Sequence, residues 1–233
     1  MSFPRGLIQP RDGYRFSVDA LLLATFVQPR GGLGLDLGAG CGVVGLGVLL
    51  RHARVRMLGL EIQPALARCA AANAKALGLD HRYATIIADI CHVPFPPESV
   101  DFVVANPPYR RPDEGRQNPS LERCHARFEH RASLAQFVAA TRRVLRNRGS
   151  SWWVFLAERA DELLALCRSA RLQPKVLLPV APFSDAPARM VLLQAVKNGG
   201  FGLTIHPPLV LHEKGPISRH VTASALAWCP WLA

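Results

Sequence analysis

The sequence predicts an α/β fold with a Rossmann-like sheet, and three observations lead to this prediction. Short apolar runs typical of buried strands alternate with helical stretches along the chain. A glycine-rich loop, 38–42, joins the first core strand to a helix, and polar residues directly follow later strands. For 233 residues we expect one domain over 1–233: a short N-terminal helical extension (1–30), a core (31–198) and a C-terminal tail (199–233).

The N-terminal extension contains the run Tyr14-Arg15-Phe16-Ser17-Val18-Asp19, followed by an apolar helical stretch from Ala20 to Val27. Ser17 and Asp19 are residue types that cap helices. Two interpretations stay open here. Either the helix simply covers the sheet edge, or Phe16 and Asp19 line a cofactor pocket.

The first core strand, Leu33–Leu37, contains Asp36 and leads into the loop Gly38-Ala39-Gly40-Cys41-Gly42, which opens a helix from Val43 to about His52. Gly40-x-Gly42-x-x-Gly45 matches the dinucleotide fingerprint, in which glycines let the backbone approach a ligand closely. Glu61 follows about 20 residues later, where it would accept hydrogen bonds from ribose hydroxyls. This pattern does not separate NAD from another adenosine cofactor, and a structural alternative is that the glycines only allow close packing.

Further acceptors follow the next strands. A helix is predicted over Pro64–Leu77 and a strand over Tyr83–Ala88, which ends at Asp89. Asp89 would either accept from an adenine amino group or cap a short turn. Strand Val100–Ala105 then ends at Asn106. Because parallel strands end at a shared edge, we expect one polar edge, formed by Asp36, Glu61, Asp89 and Asn106.

The run Asn106-Pro107-Pro108-Tyr109 is the strongest candidate for chemistry. Pro107 and Pro108 have a fixed φ, so the turn is stiff and the directions of its carbonyls are set in advance. The Asn106 side-chain oxygen and the Pro107 carbonyl would each accept one N–H of a planar amine, while Tyr109 stacks on its ring. The alternative is a proline-rich surface turn that Asn initiates.

A long polar stretch follows, to about His130. Loops of this length are usually functional or disordered. We expect it to hold phosphates, against the alternative of a solvated flexible loop, with these candidate residues: Arg110, Arg111, Arg116, Arg123 and Arg127.

The C-terminal half completes the alternating pattern. The predicted elements are a helix over Ser133–Leu145, a strand over Trp152–Leu156, a helix over Asp161–Ala170, paired strands over Val176–Val180 and Arg189–Val196, and a short strand at Leu209–His212. Trp228 and Trp231 are interpreted as packing anchors of the tail.

The net charge, the cysteine pattern and the lengths of the apolar runs limit the classes of partner, metal site and compartment that we expect. The net charge of +11 favours a polyanion such as nucleic acid, although four lysines among 28 basic residues show an arginine bias that often follows genome composition. The six cysteines form no C-x-x-C pair, so no metal site is predicted. No apolar run is long enough to cross a bilayer and no signal segment opens the chain, so we expect a cytoplasmic protein.

Taken in order, Asp36-x-Gly-x-Gly, Glu61, Asp89 and Asn-Pro-Pro-Tyr resemble the class I S-adenosylmethionine-dependent methyltransferases that act on planar amino nitrogens, over about residues 33 to 196. This resemblance implies a seven-stranded sheet with the last strand antiparallel, and S-adenosylmethionine as cofactor. The cofactor-binding residues that it implies are Phe16, Asp19, Asp36, Gly38, Ala39, Gly40, Gly42, Glu61, Ile62, Asp89, Ile90 and Asn106.

A closer resemblance involves the runs 14–23 and 123–129, which look like those of bacterial enzymes that methylate adenine N6 beside the anticodon of a valine tRNA. It implies tRNA as partner and extends over nearly the whole chain, with departures at Arg110 and at Ser218-Arg219-His220. The implied catalytic residues are Asn106, Pro107 and Tyr109, and the implied substrate-binding residues are Pro108, Tyr109, Arg110, Arg111, Arg116, Arg123 and Arg127.

Other functions remain open at this point. A glutamine-N5 methyltransferase acting on a translation factor shares Asn-Pro-Pro-Tyr but usually carries a helical N-terminal domain, whereas about thirty residues precede the glycine loop here. A ribosomal RNA guanine-N2 methyltransferase is a further alternative. A non-catalytic RNA-binding module is the alternative from another class.

Overall fold

The structure is a computed structural model that describes residues 3–10, 16–109, 132–214 and 220–233. Its strands are Gly32–Leu37 (β1), Val55–Glu61 (β2), Tyr83–Ile87 (β3), Val100–Ala105 (β4), Leu145–Leu156 (β5), Leu172–Ala181 (β6), Met190–Lys197 (β7), Thr204–Ile205 (β8) and Leu209–Val210 (β9). Its α-helices are Val18–Phe26 (α1), Val43–Arg51 (α2), Pro64–Ala76 (α3), Leu134–Val144 (α4), Ala160–Ser169 (α5) and Ala223–Trp228 (α6). Short 3₁₀ turns cover Ile90–His92, Ala157–Arg159 and Pro230–Leu232.

One mixed sheet organises the described residues, with the order β3-β2-β1-β4-β5-β7-β6-β8. The strands β1 to β5 pair in parallel, and β7 runs antiparallel between β5 and β6. The α/β fold and the antiparallel last strand of the seven are thereby confirmed. β8 and β9 extend this seven-stranded core, and both pair in parallel with β6. The short strand predicted at Leu209–His212 is present as β9, whereas β8 was not predicted, because two residues are too few to produce a recognisable sequence period.

Both faces of the sheet are covered, as expected for parallel strands linked by helices. Phe102 and Val104 of β4 pack into a core with α1, α2 and α3, whereas Val103 and Ala105 pack into a second core with α4 and α5. Trp231 of the tail makes an edge-to-face contact with Phe3, with ring centroids 4.8 Å apart. The chain ends therefore meet beside the first core.

Two strands begin earlier than the sequence predicts. β5 starts at Leu145 rather than Trp152, because its first half is polar and exposed and carries no apolar alternation. β6 starts at Leu172 rather than Val176, and its register shifts after Pro174, which lacks the N–H of a regular ladder. Ser133 caps α4 together with Gln136, so that helix begins at Leu134. In the described residues, no helix is long and apolar enough to span a membrane.

Candidate active site

The carboxyl ends of β1, β2, β3 and β4 lie side by side, because these strands are parallel neighbours in the sheet. The glycine loop follows β1, Glu61 is the last residue of β2, and Asn106 directly follows β4. Three of the four residues predicted to form the polar edge, Glu61, Asp89 and Asn106, therefore lie at the ends of neighbouring strands. This is the edge where open parallel sheets bind ligands.

The glycine loop folds back over the end of β2. The N–H groups of Gly38 and Ala39 donate to the Leu60 carbonyl at 2.8 and 3.0 Å. Gly40 has a φ of +57°, and a Cβ atom built on it would meet no described atom within 4 Å. The space in front of Gly40 is thus open, and a glycine there keeps the backbone accessible to a ligand. This cradle fits the expected cofactor, S-adenosylmethionine.

Glu61 combines deep burial with two backbone hydrogen bonds. Glu61 is 5% exposed, and its carboxylate accepts from the N–H groups of Gly40 at 2.8 Å and Gln63 at 2.9 Å. Burial raises the pKa of this carboxyl, while the two backbone N–H groups act in the opposite direction. A carboxylate has about four acceptor positions, so acceptor capacity remains for a ligand hydroxyl. Its contact with a ribose stays a prediction.

Asp36 lies beneath the first turn of α2 rather than on the open edge. Asp36 is 1% exposed, and its carboxyl accepts from the Gly45 N–H at 3.0 Å. A Cβ atom on Gly45 would lie 3.2 Å from that carboxyl oxygen, so glycine permits this approach. Burial raises the pKa of Asp36 to about 7. The structure shows a link between β1 and α2, and a direct cofactor contact of Asp36 stays a prediction.

Asp89 caps the 3₁₀ turn that follows β3. Its Oδ1 accepts from the Cys91 N–H at 2.8 Å. The turn-capping interpretation is therefore the one that the contacts support, while the adenine contact stays a prediction. The two isoleucines named as cofactor residues differ, since Ile62 is 46% exposed and Ile90 is buried in the second core.

Tyr109 is held from three directions. Its hydroxyl donates to the Asp19 carboxylate, its ring meets Phe155 edge-to-face with centroids 6.0 Å apart, and its carbonyl accepts from Arg159 at 2.6 Å. Asp19 is 3% exposed and also accepts from the Ser17 hydroxyl. Asp19 therefore positions Tyr109, and its predicted contact with a cofactor stays a prediction. Ser17 occupies the N-cap position of α1 without making a side-chain cap.

Asn106 directly follows β4, which pairs with β1 beside the glycine loop, and it precedes Tyr109 by three residues. Its side chain is partly exposed and has no hydrogen-bond partner within the part of the chain that the structure describes. Pro107 is buried and Pro108 is partly exposed, so Pro107 anchors the turn that begins at Asn106. An unoccupied amide oxygen on a rigid turn is suited to accept an N–H from a planar amine.

Two positioning residues carry no recognisable motif. Arg159 forms an ion pair with Glu162 at 2.8 Å, and its guanidinium lies 5.0 Å from the Phe155 ring centroid. Asn73 of α3 is 1% exposed and exchanges hydrogen bonds with the backbone of Ile8. Asn73 also donates to the Cys41 carbonyl in the glycine loop at 3.0 Å. The spacing of Arg159 and Glu162 indicates a helical ion pair, but no sequence signal indicates the Tyr109 or Cys41 contacts.

Several predicted residues receive no support from these contacts. Phe16 packs against the first core as a partly buried side chain, and its cofactor contact stays a prediction. The described residues contain no group of three or more potential metal ligands. The arginines proposed to hold phosphates lie outside the described residues and remain predictions: Arg110, Arg111, Arg116, Arg123 and Arg127.

The fold and the site together define a methyltransferase. Residues 17–164 match the family model of the methyltransferase small domain, so the chain belongs to that family. The match extends across the glycine loop, Glu61, Asn106 and Tyr109.

Relatives and a solved structure agree with this family. A tRNA1(Val) (adenine(37)-N6)-methyltransferase from Porphyromonas gingivalis is 26% identical over 210 residues, which is 83% of this chain and 82% of the relative. A release factor glutamine methyltransferase from Rhodospirillum rubrum is 39% identical over 102 residues, which is 44% of this chain but 30% of the relative. The crystal structure of a predicted O-methyltransferase from Agrobacterium tumefaciens superimposes with a TM-score of 0.73 and 22% identity, covering 93% of this chain and 97% of that one. At that identity the solved structure demonstrates the fold alone.

Proposed function

We propose that this methyltransferase transfers the methyl group of S-adenosylmethionine to the N6 amino group of an adenine in tRNA, near the anticodon. The observation that carries the proposal is the Asn106 side chain, which lies on a rigid turn beside the glycine loop without a partner in the described residues. The relative named for this reaction aligns over 82% of its own length, which supports the same substrate class. We place the protein in the cytoplasm because tRNA is its proposed substrate.

The polar edge has residues suited to hold this cofactor. The open backbone at Gly40 would meet the methionine end, and Glu61, with acceptor capacity left, would accept from the ribose hydroxyls. S-adenosylmethionine supplies an electrophilic methyl group on a sulfonium. The task left to the chain is to bring a poor nucleophile into line with that methyl group.

Asn106 and Pro107 would orient the target amine. Its lone pair is delocalised into the adenine ring, and acceptance of both N–H groups by the Asn106 amide oxygen and the Pro107 carbonyl draws the nitrogen toward tetrahedral geometry. Tyr109 offers its ring to the base, which leaves its stack to enter the site. Positioning then supplies most of the catalysis. The amine becomes acidic as the methyl group is transferred and loses its proton to water, so no general base is required.

Glutamine-N5 methylation of a release factor is the second candidate, because 39% identity over 102 residues favours it. A side-chain amide is also a planar nitrogen and suits the same two acceptors. The chain spans 30% of that relative, and the net charge of +11 favours a polyanionic substrate over a protein. No contact in the described residues specifically favours guanine-N2 methylation of ribosomal RNA. The same holds for RNA binding without catalysis.

The decisive experiment offers radiolabelled S-adenosylmethionine with total bacterial tRNA and, in parallel, with a release factor. Nucleoside analysis of the tRNA should recover the label as N6-methyladenosine. Label on protein glutamine would instead assign the second candidate. Label on neither acceptor, with the cofactor still bound, would favour the non-catalytic module.

A further inference from the structure

A basic corner lies at the edge of the sheet opposite the candidate active site. There β6 begins and β7 ends, because β7 runs antiparallel to β5 and β6. We define this rear corner by Arg148, Arg171, Lys175, Asn198 and the loop 199–202. The ten residues of β6 run from this corner to the front edge, a span of about 33 Å. A ligand that contacts both ends must therefore be extended.

Phe201 is the most exposed large apolar side chain that the structure describes, at 96% of its free surface. It stands in the loop Gly199-Gly200-Phe201-Gly202, and its ring contributes nothing to either core. The Lys175 ammonium donates to the carbonyls of Gly200 at 2.6 Å and Phe201 at 3.2 Å. The backbone that carries the exposed ring is thus held beside a cation.

The backbone of the rear corner is strained. Four non-glycine residues in the described chain have a positive φ, and three of them are here: Arg148 at +62°, Arg171 at +57° and Asn198 at +52°. Arg148 donates to the Asn198 carbonyl at 3.0 Å, and the Asn198 N–H donates to the Arg171 carbonyl at 2.8 Å. Glycine takes this conformation without strain, and such strain concentrates at functional sites. Arg171 immediately follows the C-cap of α5, where glycine is common.

The charges of this corner are available to a partner. Arg148 and Arg171 are exposed, and Lys175 is partly exposed. None of the three forms an ion pair with a carboxylate in the described ranges. Cations around an exposed aromatic ring form the combination that binds unpaired nucleotides, because phosphates meet the cations and a base stacks on the ring.

We propose that the rear corner is a second RNA-binding site, in which Phe201 stacks on an unpaired base and Arg148, Arg171 and Lys175 contact the adjoining phosphates. This inference rests on the proposed function, since it assigns the RNA substrate a contact far from the target adenine. A partner long enough to reach from β4 to the start of β6 and negatively charged along its length fits a folded RNA.

The test measures binding of end-labelled total bacterial tRNA to the full chain loaded with S-adenosylhomocysteine, in a filter-binding titration over several salt concentrations. Phe201→Ala should weaken binding about five-fold or more, whereas Phe201→Trp should retain it, because tryptophan preserves the stacking surface. Arg171→Gly should weaken binding and lower the salt slope by about 0.7 to 0.9. Its melting temperature should equal or exceed that of the wild type, because glycine relieves the left-handed strain.

Arg68→Ala is the matched control, because Arg68 is an exposed arginine on α3, at the β3 side of the sheet. It should change binding less than two-fold. Wild-type affinity in both Phe201→Ala and Arg171→Gly would overturn the rear-corner site, and so would an equal loss of affinity in Arg68→Ala. In either case, methylation of tRNA by the wild-type protein would still support the proposed function. A wild-type protein that neither binds nor methylates tRNA would overturn both.

Discussion

Tyr109 shows how single residues in this protein act through positioned neighbours. Its hydroxyl, ring and carbonyl are held by Asp19, Phe155 and Arg159, which lie on α1, on β5 and in the turn after β5. Under the proposed function Tyr109 would stack on a flipped base, and such restraint would favour this contact, because each free rotamer would cost binding free energy. The hydroxyl serves orientation and would leave the ring face to that base.

The Tyr109–Asp19 contact predicts that substitutions at the two residues lower kcat in a coupled, non-additive way. Tyr109→Phe and Asp19→Ala should each lower kcat about ten-fold, because each removes a hydrogen bond to a carboxylate worth about 1.5–3 kcal/mol. The double variant should be no worse than either single variant, and double-mutant kinetics on tRNA check this. Asp19→Asn, which retains an acceptor, is the matched control and should lose less. Additive losses would mean that the two residues act independently.

Asn106→Ala should lower kcat about a hundred-fold with little change in S-adenosylmethionine affinity, because one oriented interaction with the reacting amine is lost. Single-turnover methylation of tRNA and calorimetric titration of the cofactor measure the two effects separately. Equal losses in turnover and cofactor affinity would contradict the proposed role of Asn106.

At the scale of elements, buried polar side chains connect strands, helices and loops around the cofactor cradle. Asp36 ties β1 to the start of α2 through Gly45, and Glu61 ties the end of β2 to Gly40. Asn73 ties α3 to both Ile8 and Cys41. Buried polar groups cost free energy unless they are paired, so these contacts also select one arrangement of the loop.

Asp36 predicts a pH dependence of stability. The pKa rises from 3.8 to about 7 on folding, so between these values the folded protein holds a proton that the unfolded chain has released. The free energy of unfolding should therefore fall as pH rises through this window, by at most about 4 kcal/mol. Asp36→Asn keeps an acceptor for Gly45 and removes this contribution. Its melting temperature should match the wild type near pH 4 and exceed it near pH 8, and parallel curves would contradict this.

Asn73→Ala should lower the free energy of unfolding by about 1–3 kcal/mol, because buried backbone groups of Ile8 and Cys41 lose their partner. It should also weaken S-adenosylhomocysteine binding, since Cys41 belongs to the glycine loop. Thermal unfolding and calorimetry check the two effects. Lys75→Ala, an exposed change on the same helix, is the control and should alter neither quantity. Unchanged cofactor affinity in Asn73→Ala would mean that the hydrogen bond from Asn73 to Cys41 does not shape the cofactor-binding loop.

At the scale of the whole molecule, the chain carries a net charge of +11. The binding energy for a polyanion then comes largely from released counterions and depends on salt. A small cofactor with few charges depends on salt far less.

Raising the salt concentration should therefore increase KM for tRNA steeply while leaving the affinity for S-adenosylhomocysteine almost unchanged. Methylation kinetics from about 50 to 200 mM salt should give a linear log–log plot whose slope counts several phosphate contacts. A KM for tRNA that does not respond to salt would argue against an extended RNA interface.

The regular core was predictable from local patterns, since β4 was predicted with the bounds Val100–Ala105 that the structure has. Continuous apolar strands, the glycine loop and the proline turn are local signals. The beginnings of β5 and β6 were not predictable, because polar or proline-containing segments join a sheet through their neighbours. The burial of Asp36 was also not predicted. Its side chain faces α2, because alternate residues of a strand point to opposite sides of the sheet.

The sequence by itself determined the α/β order, the glycine cradle and the position of Asn106 after β4, because each depends on residues close together in the chain. The tertiary structure alone decided that Asp19 and Arg159 hold Tyr109 and that Asn73 holds Cys41. These contacts join residues 90, 50 and 32 positions apart. No local pattern records such pairs, because packing of the sheet layers brings them together.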